Sequence, residues 1–160
     1  MVPWQRTLLF AAVAVVVAVL LWLALRGIVA LISKRPANLG VEEGRLAPCP
    51  AMPNCVSTQG VDERHRIDPI PYATSTGEAR DRIVRLLRSM PRTRIITDTP
   101  VYVYAEVRTA FLGHVDDVEF TFDEQAGVIH FRSGSRLPYW DQGVNRRRME
   151  DIRAAFESAE

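Results

Sequence analysis

The sequence predicts an α+β protein in which an N-terminal transmembrane helix precedes a small antiparallel sheet with two helices packed on one face. Three observations support this fold class. The 160-residue chain begins with an uninterrupted apolar run, two later segments place apolar residues at helical intervals, and the segments between them alternate apolar and polar residues as strands do. We therefore divide the chain into an anchor at residues 1–32, a linker at residues 33–45 and a single domain at residues 46–160.

The apolar run has the length of a membrane-spanning helix. All 18 residues from Leu8 to Leu25 are apolar, and Arg6 and Arg26 bound the run. At about 1.5 Å per residue it spans about 27 Å, close to the hydrocarbon core of about 30 Å. The alternative is a cleaved signal peptide, but its apolar core is usually shorter, about 7–15 residues. We therefore predict a retained anchor, which extends to Ile32 if the Arg26 side chain reaches the headgroups.

Two signals disagree about the side of the membrane on which the domain lies. Arg26, Lys34 and Arg35 follow the run and one arginine precedes it, which by the positive-inside rule favours a cytoplasmic domain. Cys49 and Cys55 favour the opposite, because a disulfide across their proline-rich loop persists in an oxidising compartment. A pair of reduced thiols is the alternative for these cysteines. We predict a single-pass membrane protein with an extracytoplasmic domain.

Helical periodicity marks two segments of the domain. Ser75 and Glu78 have the spacing of a capping box, apolar residues follow at helical intervals, and Pro91 ends the helix. The last helix begins near Val144 and continues to Phe156. Its first turn carries three arginines, which the helix dipole disfavours unless carboxylates lie nearby.

The segments 94–97, 101–108, 116–123 and 128–133 have the character of strands. In the last two, a register that pairs Phe122 with Ile129 also pairs Glu119 with Arg132, and a shift of one residue would bring charge into the core. This register gives the sheet an apolar face for the helices. It leaves a polar face that bears Glu106, Arg108, Glu119, His130 and Arg132.

The densest group of polar residues is the candidate site. Its members are Asp116, Asp117, Glu119, Arg132, Ser133, Ser135, Arg136, Asp141, Asn145 and Arg146. In one interpretation they form ion pairs that clamp the last helix to the sheet. In the other, Arg132, Arg136 or Arg146 binds a small carboxylate or phosphate ligand, because the guanidinium fork suits both.

A non-enzymatic binding or assembly module is the function that we favour from the residues. The alternative is a small hydrolase that uses Asp117 or Glu119 near Arg132 and Arg136. Neither a cofactor nor a metal ion is predicted, because the three histidines lack ligand spacing and no glycine-rich phosphate loop is present. Nucleic acid is not predicted either, since 20 basic residues oppose 19 acidic ones. The expected partners are the membrane, through the N-terminal helix, and a protein or a small anionic ligand.

Three stretches resemble a known family: 46–57, with both cysteines; 115–120; and 132–146, with the Arg-Ser-Gly-Ser-Arg sequence. They are similar to the bacterial and plastid family catalogued as domain of unknown function 1499, over roughly Leu46 to Arg153. The resemblance implies no reaction, because the family is uncharacterised. Plastid members are placed in the thylakoid lumen, which implies an extracytoplasmic domain here.

Overall fold

The computed structural model describes residues 2–138 and 141–158. Residues 139–140, in the loop after Leu137, and residues 159–160, at the end of the predicted domain, lie outside the described part, as does the first residue. The helices are α1 (Pro3–Ile32), α2 (Thr76–Ser89) and α3 (Val144–Glu157). The strands are β1 (Val41–Glu42), β2 (Arg45–Leu46), β3 (Cys55–Ser57), β4 (Ile70–Pro71), β5 (Thr93–Asp98), β6 (Tyr102–Arg108), β7 (Val115–Asp123) and β8 (Val128–Ser135).

The main sheet has six strands, in the order β3-β8-β7-β6-β5, with β4 also paired to β8. Its neighbouring strands are antiparallel. In the β7–β8 hairpin, Phe122 lies opposite Ile129 and Glu119 lies opposite Arg132, as the alternation of apolar residues predicts. The short strands β3 and β4 lie in the proline-rich segment before α2.

Both α2 and α3 pack on one face of this sheet, which confirms the α+β class. The Ser75 hydroxyl accepts a hydrogen bond from the Glu78 amide at 3.3 Å, and the Glu78 carboxylate accepts one from the Ser75 amide at 3.1 Å. This capping box begins α2 as predicted. The core between helices and sheet includes Ala79, Ile83, Leu87, Val103, Ala105, Val118, Phe120, Ile129, Phe131, Met149, Ile152 and Phe156.

The opposite face of the sheet is also covered. Residues 33–46, most of which the sequence predicts as a linker, lie across it. The Arg35 guanidinium donates to Glu106 Oε1 at 2.6 Å, and the Gly40 amide donates to Glu119 Oε1 at 2.8 Å. Leu46, at the end of this segment, is 5% exposed. Glu106, Glu119 and Arg132 of the polar face therefore lie in the interior, whereas Arg108 at its edge is exposed.

Helix α1 is long and apolar enough to cross a membrane, and no other helix in residues 2–138 and 141–158 meets that criterion. Its 30 residues extend about 45 Å at 1.5 Å per residue. The apolar run is exposed except for the half-buried Trp22, whereas Val29 and Ser33 beyond it are buried. The helix therefore reaches the domain without a free spacer.

Cys49 and Cys55 form a disulfide with Cα atoms 5.6 Å apart. This is the pairing that the sequence offers as one of its two alternatives. Because Cys55 begins β3, the bond fastens the preceding loop to the edge of the main sheet.

Candidate functional site

The ten candidate residues lie in two groups on opposite faces of the sheet, apart from Arg146. Successive side chains of a strand point to opposite faces, so Asp116 and Asp117 separate, as do Arg132 and Ser133. We call the group under residues 33–46 the carboxylate–arginine network: Glu106, Asp117, Glu119, Arg132 and Arg136. We call the group on the helix side the Asn145 cluster: Asn54, Asp116, Ser133, Ser135, Asp141, Asn145 and Arg148.

Glu119 anchors one half of the carboxylate–arginine network. It is 0% exposed, and its Oε2 accepts a hydrogen bond from Arg132 Nη1 at 2.9 Å. Its Oε1 accepts from the Tyr102 hydroxyl at 2.7 Å and from the Gly40 amide at 2.8 Å. Both oxygens of this buried carboxylate are therefore satisfied, as a charge without solvent requires.

Arg136 holds the other half together. Its Nη2 donates to Asp117 Oδ1 at 2.7 Å, to Glu106 Oε1 at 2.6 Å and to the Tyr104 hydroxyl at 3.0 Å. Its Nη1 donates to the Ser33 carbonyl at 3.2 Å. With Arg35 and the half-exposed Arg108 included, four arginines face three carboxylates.

The surroundings shift the pKa values of Glu106 and Arg136 so that both side chains stay charged. Burial alone raises the pKa of Glu106, but hydrogen bonds from Arg35 and Arg136 outweigh it and lower this pKa to about 2. Burial lowers the pKa of Arg136, and the bonds to Asp117 and Glu106 reverse that and raise it. Burial, together with a hydrogen bond to a carboxylate, raises the pKa of Tyr102 and Tyr104. The two phenols are therefore held as hydrogen-bond donors.

The Asn145 cluster joins α3 to the sheet. The Asn145 side chain is 0% exposed; its Nδ2 donates to the Asn54 carbonyl at 3.1 Å and to Ser135 Oγ at 3.0 Å. Its Oδ1 accepts from Ser133 Oγ at 2.6 Å and from Arg148 Nη1 at 2.7 Å. One amide thus connects β8, the residue before β3 and the first turn of α3.

Carboxylates also compensate the arginines of that first turn. Asp116 Oδ2 accepts from Arg148 Nη2 at 2.6 Å. Asp141 accepts from the amides of Gly143 at 2.9 Å and Asn145 at 2.8 Å, which places its charge at the helix N-terminus. Arg146 lies apart from both groups and donates to the carbonyls of Arg64 and Arg66. Of the arginines in this turn, Arg148 therefore has a carboxylate partner and Arg146 has two carbonyl partners.

Several residues of these groups are absent from the sequence-based set: Arg35, Asn54, Tyr102, Tyr104, Glu106 and Arg148. The alternation along β6 places Tyr102, Tyr104 and Glu106 on the same face as Asp117. The sequence pattern could therefore have predicted that they belong to this group. Arg35 and Asn54 had no comparable signal, because each reaches its partner from a distant loop.

Among the residues that the structure describes, no three His, Cys, Asp or Glu side chains are placed to share a metal ion.

An open groove of about 450 Å³ lies between α2 and α3. Leu86, Met90, Val144, Ile152 and Ala155 supply its apolar surface, with Ser89, Arg147, Arg148 and Asp151 beside them. A neighbouring depression shares Leu86 and is lined by Thr74, Glu78, Arg82 and Arg85. We call the two together the α2–α3 groove; the apolar residues lie in the first part and the second part is mainly polar.

The three stretches 46–57, 115–120 and 132–146 meet in the Asn145 cluster, to which they contribute Asn54, Asp116, Ser135 and Asn145. The family described as "Protein of unknown function (DUF1499)" matches the chain over residues 45–156. The chain belongs to this family. The DUF1499 match begins at β2, ends within α3 and leaves α1 outside. No curated protein matches the chain.

Proposed function

We propose that this DUF1499 protein is a membrane-anchored, extracytoplasmic module that binds a partner protein and does not transform a substrate. The proposal rests on which side chains are bonded to one another and on which surface is open to solvent. The carboxylates and arginines of the carboxylate–arginine network are bonded to one another in the interior, while the α2–α3 groove is open to solvent.

The membrane attachment rests on α1. We assign this apolar helix to a hydrocarbon environment, since its side chains from Leu8 to Leu25, except the half-buried Trp22, are exposed. The extracytoplasmic side rests on the Cys49–Cys55 disulfide, because such bonds persist in oxidising compartments.

The non-catalytic role rests on the bonding of Asp117 and Glu119. A general base needs to come within hydrogen-bond distance of the proton that it removes. Glu119 already accepts from Arg132, Tyr102 and Gly40, and Asp117 already accepts from Arg136 and Tyr104. A hydrolase that used either carboxylate would first have to displace these buried partners.

The α2–α3 groove has the composition of a protein-binding surface. Apolar residues that include a methionine line its first part, and arginines lie beside them, a combination that is typical of interface centres. Around the groove, Arg82, Arg85 and Arg147 outnumber Glu78 and Asp151. We therefore assign it a partner segment that presents apolar side chains flanked by acidic ones.

Site-specific photo-crosslinking in cells tests this assignment. A photoreactive residue at Ser89, in the groove, is expected to give one discrete adduct, and the same residue at Val61, which is 96% exposed elsewhere on the domain, is expected to give none. The charge reversal Arg147→Glu, at an exposed position, is expected to remove the adduct at Ser89 while the protein stays folded. Equal labelling at both positions, or an adduct that survives the charge reversal, would contradict the groove as the binding surface.

A further inference from the structure

The loop between β6 and β7, residues 109–114, touches α1. Trp22 Nε1 and Arg26 Nη1 each donate to the Phe111 carbonyl at 3.2 Å. The rings of Trp22 and Phe111 are 6.5 Å apart between centroids, and the Arg26 guanidinium lies 5.0 Å from the centre of the Trp22 ring. These contacts fix the tip of the loop beside one turn of the helix.

A glycine permits this close approach. Gly113 has φ of 74°, and a Cβ at this position would lie 3.3 Å from Arg26 Nη2. Any other residue would be strained in this backbone conformation and would press on the guanidinium group. The backbone of the loop therefore comes close to α1 at Arg26.

The position of these contacts along α1 sets their depth in a bilayer. Arg6 and Arg26 are separated by twenty residues, which is about 30 Å of helix and the thickness of the hydrocarbon core. If each arginine lies at one headgroup layer, Trp22 lies one turn, about 5.4 Å, toward the acyl chains. Phe111 lies beside Trp22 and hence at the same boundary.

The exposed groups of the loop suit that boundary. The Phe111 side chain is uncovered by the domain, at 71% exposure. On the domain side, Arg92 Nε donates to the Arg108 carbonyl at 3.2 Å at the base of the loop. The Arg108 side chain is half exposed, and its Nη2 lies 3.6 Å from Glu106 Oε2. Aromatic rings favour the interface between headgroups and acyl chains, and arginines near it attract lipid phosphates.

We propose that the β6–β7 loop is a second membrane contact, in which Phe111 inserts its ring beside Trp22 while Arg92 and Arg108 face the phosphates of phospholipid headgroups. The proposal rests on the anchoring by α1 proposed above. A domain held by one helix is free to tilt, whereas a domain held at two points has a fixed orientation. The α2–α3 groove would then be presented to its partner at a constant height above the bilayer.

Depth-dependent fluorescence quenching of the full chain in phosphatidylcholine–phosphatidylglycerol vesicles tests the proposal. An environment-sensitive probe is attached to Phe111→Cys, to Val101→Cys and to Val16→Cys in separate samples. Both native cysteines are in the disulfide, so the introduced thiol is the one that reacts. Val101 is a matched control, because it is apolar and 60% exposed at the opposite end of β6.

The probe at position 111 is expected to emit at shorter wavelength, and lipids that carry a nitroxide near the headgroup should quench it. Aqueous iodide should quench it several-fold less than the probe at position 101. The probe at position 16 should respond most to a nitroxide deep in the acyl chain. Equal iodide quenching at positions 111 and 101, with position 16 still buried in lipid, would overturn the loop contact and leave the anchor intact. A probe at position 16 that no lipid nitroxide quenches would overturn the anchor, and the loop contact with it.

Discussion

At the residue scale, a few buried ionic side chains carry the link between the sheet and the segment that covers it. Arg136 bonds to Asp117, Glu106 and Tyr104 and to the carbonyl of Ser33. Removal of one member of a buried ion pair costs more than the intact pair contributes, because the remaining charge keeps its desolvation penalty without a partner. A single substitution in the carboxylate–arginine network is therefore expected to lower the stability of the domain.

Arg136→Ala is expected to lower the free energy of unfolding by about 3–5 kcal/mol, since it leaves two buried carboxylates short of a donor. The control Arg88→Ala, at an exposed position on α2, should change it by less than about 0.5 kcal/mol. Urea titration in detergent micelles, followed by circular dichroism, measures both. A well-folded Arg136→Ala protein of nearly native stability would instead favour a ligand-binding role for this arginine.

Glu106 is expected to make the domain sensitive to acid. Its pKa is about 2 in the folded protein, against 4.5 for an unperturbed glutamate, so the unfolded chain takes up the proton at higher pH. The stabilisation is complete above pH 4.5 and is lost as the pH falls from 4.5 toward 2, by about 3 kcal/mol. The measurement is the free energy of unfolding of the native protein and of Glu106→Gln across this range. The difference between their free energies of unfolding should shrink as the pH falls. A difference that is constant with pH would contradict the lowered pKa of Glu106.

At the element scale, the N-terminus of α3 shows how a helix tolerates three arginines in its first turn. Arg148 pairs with Asp116 of β7, and Arg146 donates to the carbonyls of Arg64 and Arg66. Asp141 places a carboxylate where the helix dipole is positive and accepts from two backbone amides. Groups on other elements thus partner Arg148 and Arg146, and the Asp141 carboxylate offsets part of the positive charge.

Asp141→Ala is expected to destabilise the domain by about 1 kcal/mol, because it removes this cap and its charge. Asp141→Asn keeps one acceptor oxygen and therefore one of the two amide hydrogen bonds, so it should lose less than Asp141→Ala. Asp151→Ala, at an exposed position on the same helix, serves as the control. Thermal unfolding followed by circular dichroism distinguishes them, and equal losses for all three variants would show that Asp141 does not act as a cap.

At the scale of the whole molecule, the two faces of the sheet are closed by different parts of the chain. The helices α2 and α3 cover one face, and residues 33–46, which lead out of α1, cover the other. Because this segment is bonded to Glu106 and Glu119, the domain follows directly from the helix and not from a free tether. The position of the domain relative to α1 is therefore part of the fold.

An extracytoplasmic domain predicts that the Cys49–Cys55 disulfide is present in growing cells. Intact cells treated with a membrane-impermeant maleimide should show labelling after external reduction and none before it. The matched variant Cys49→Ser leaves one free thiol at Cys55 and provides the positive control. Thiols that react without reduction, and with a membrane-permeant reagent alone, would place the domain in the cytoplasm.

The sequence predicted those parts of the fold that depend on neighbours along the chain. The capping box at Ser75 and Glu78, the β7–β8 register and the length of α1 each follow from residues within one helix or one hairpin. The candidate set was predicted as one constellation, whereas the structure places its members on two faces of the sheet. Side-chain alternation separates Asp116 from Asp117 and Arg132 from Ser133, and the sequence alone did not show that both faces are covered.

The sequence by itself determined that this chain has an apolar helix of membrane-spanning length, a sheet with one apolar and one polar face, and two amphipathic helices to cover the apolar one. Tertiary structure alone decided what covers the polar face and which charges meet there. Arg35 lies 71 residues from Glu106, Asn54 lies 91 residues from Asn145, and Ser33 lies 103 residues from Arg136. Hydrophobic periodicity is a local property of the chain, whereas contacts at such separations depend on the path of the backbone across the finished sheet.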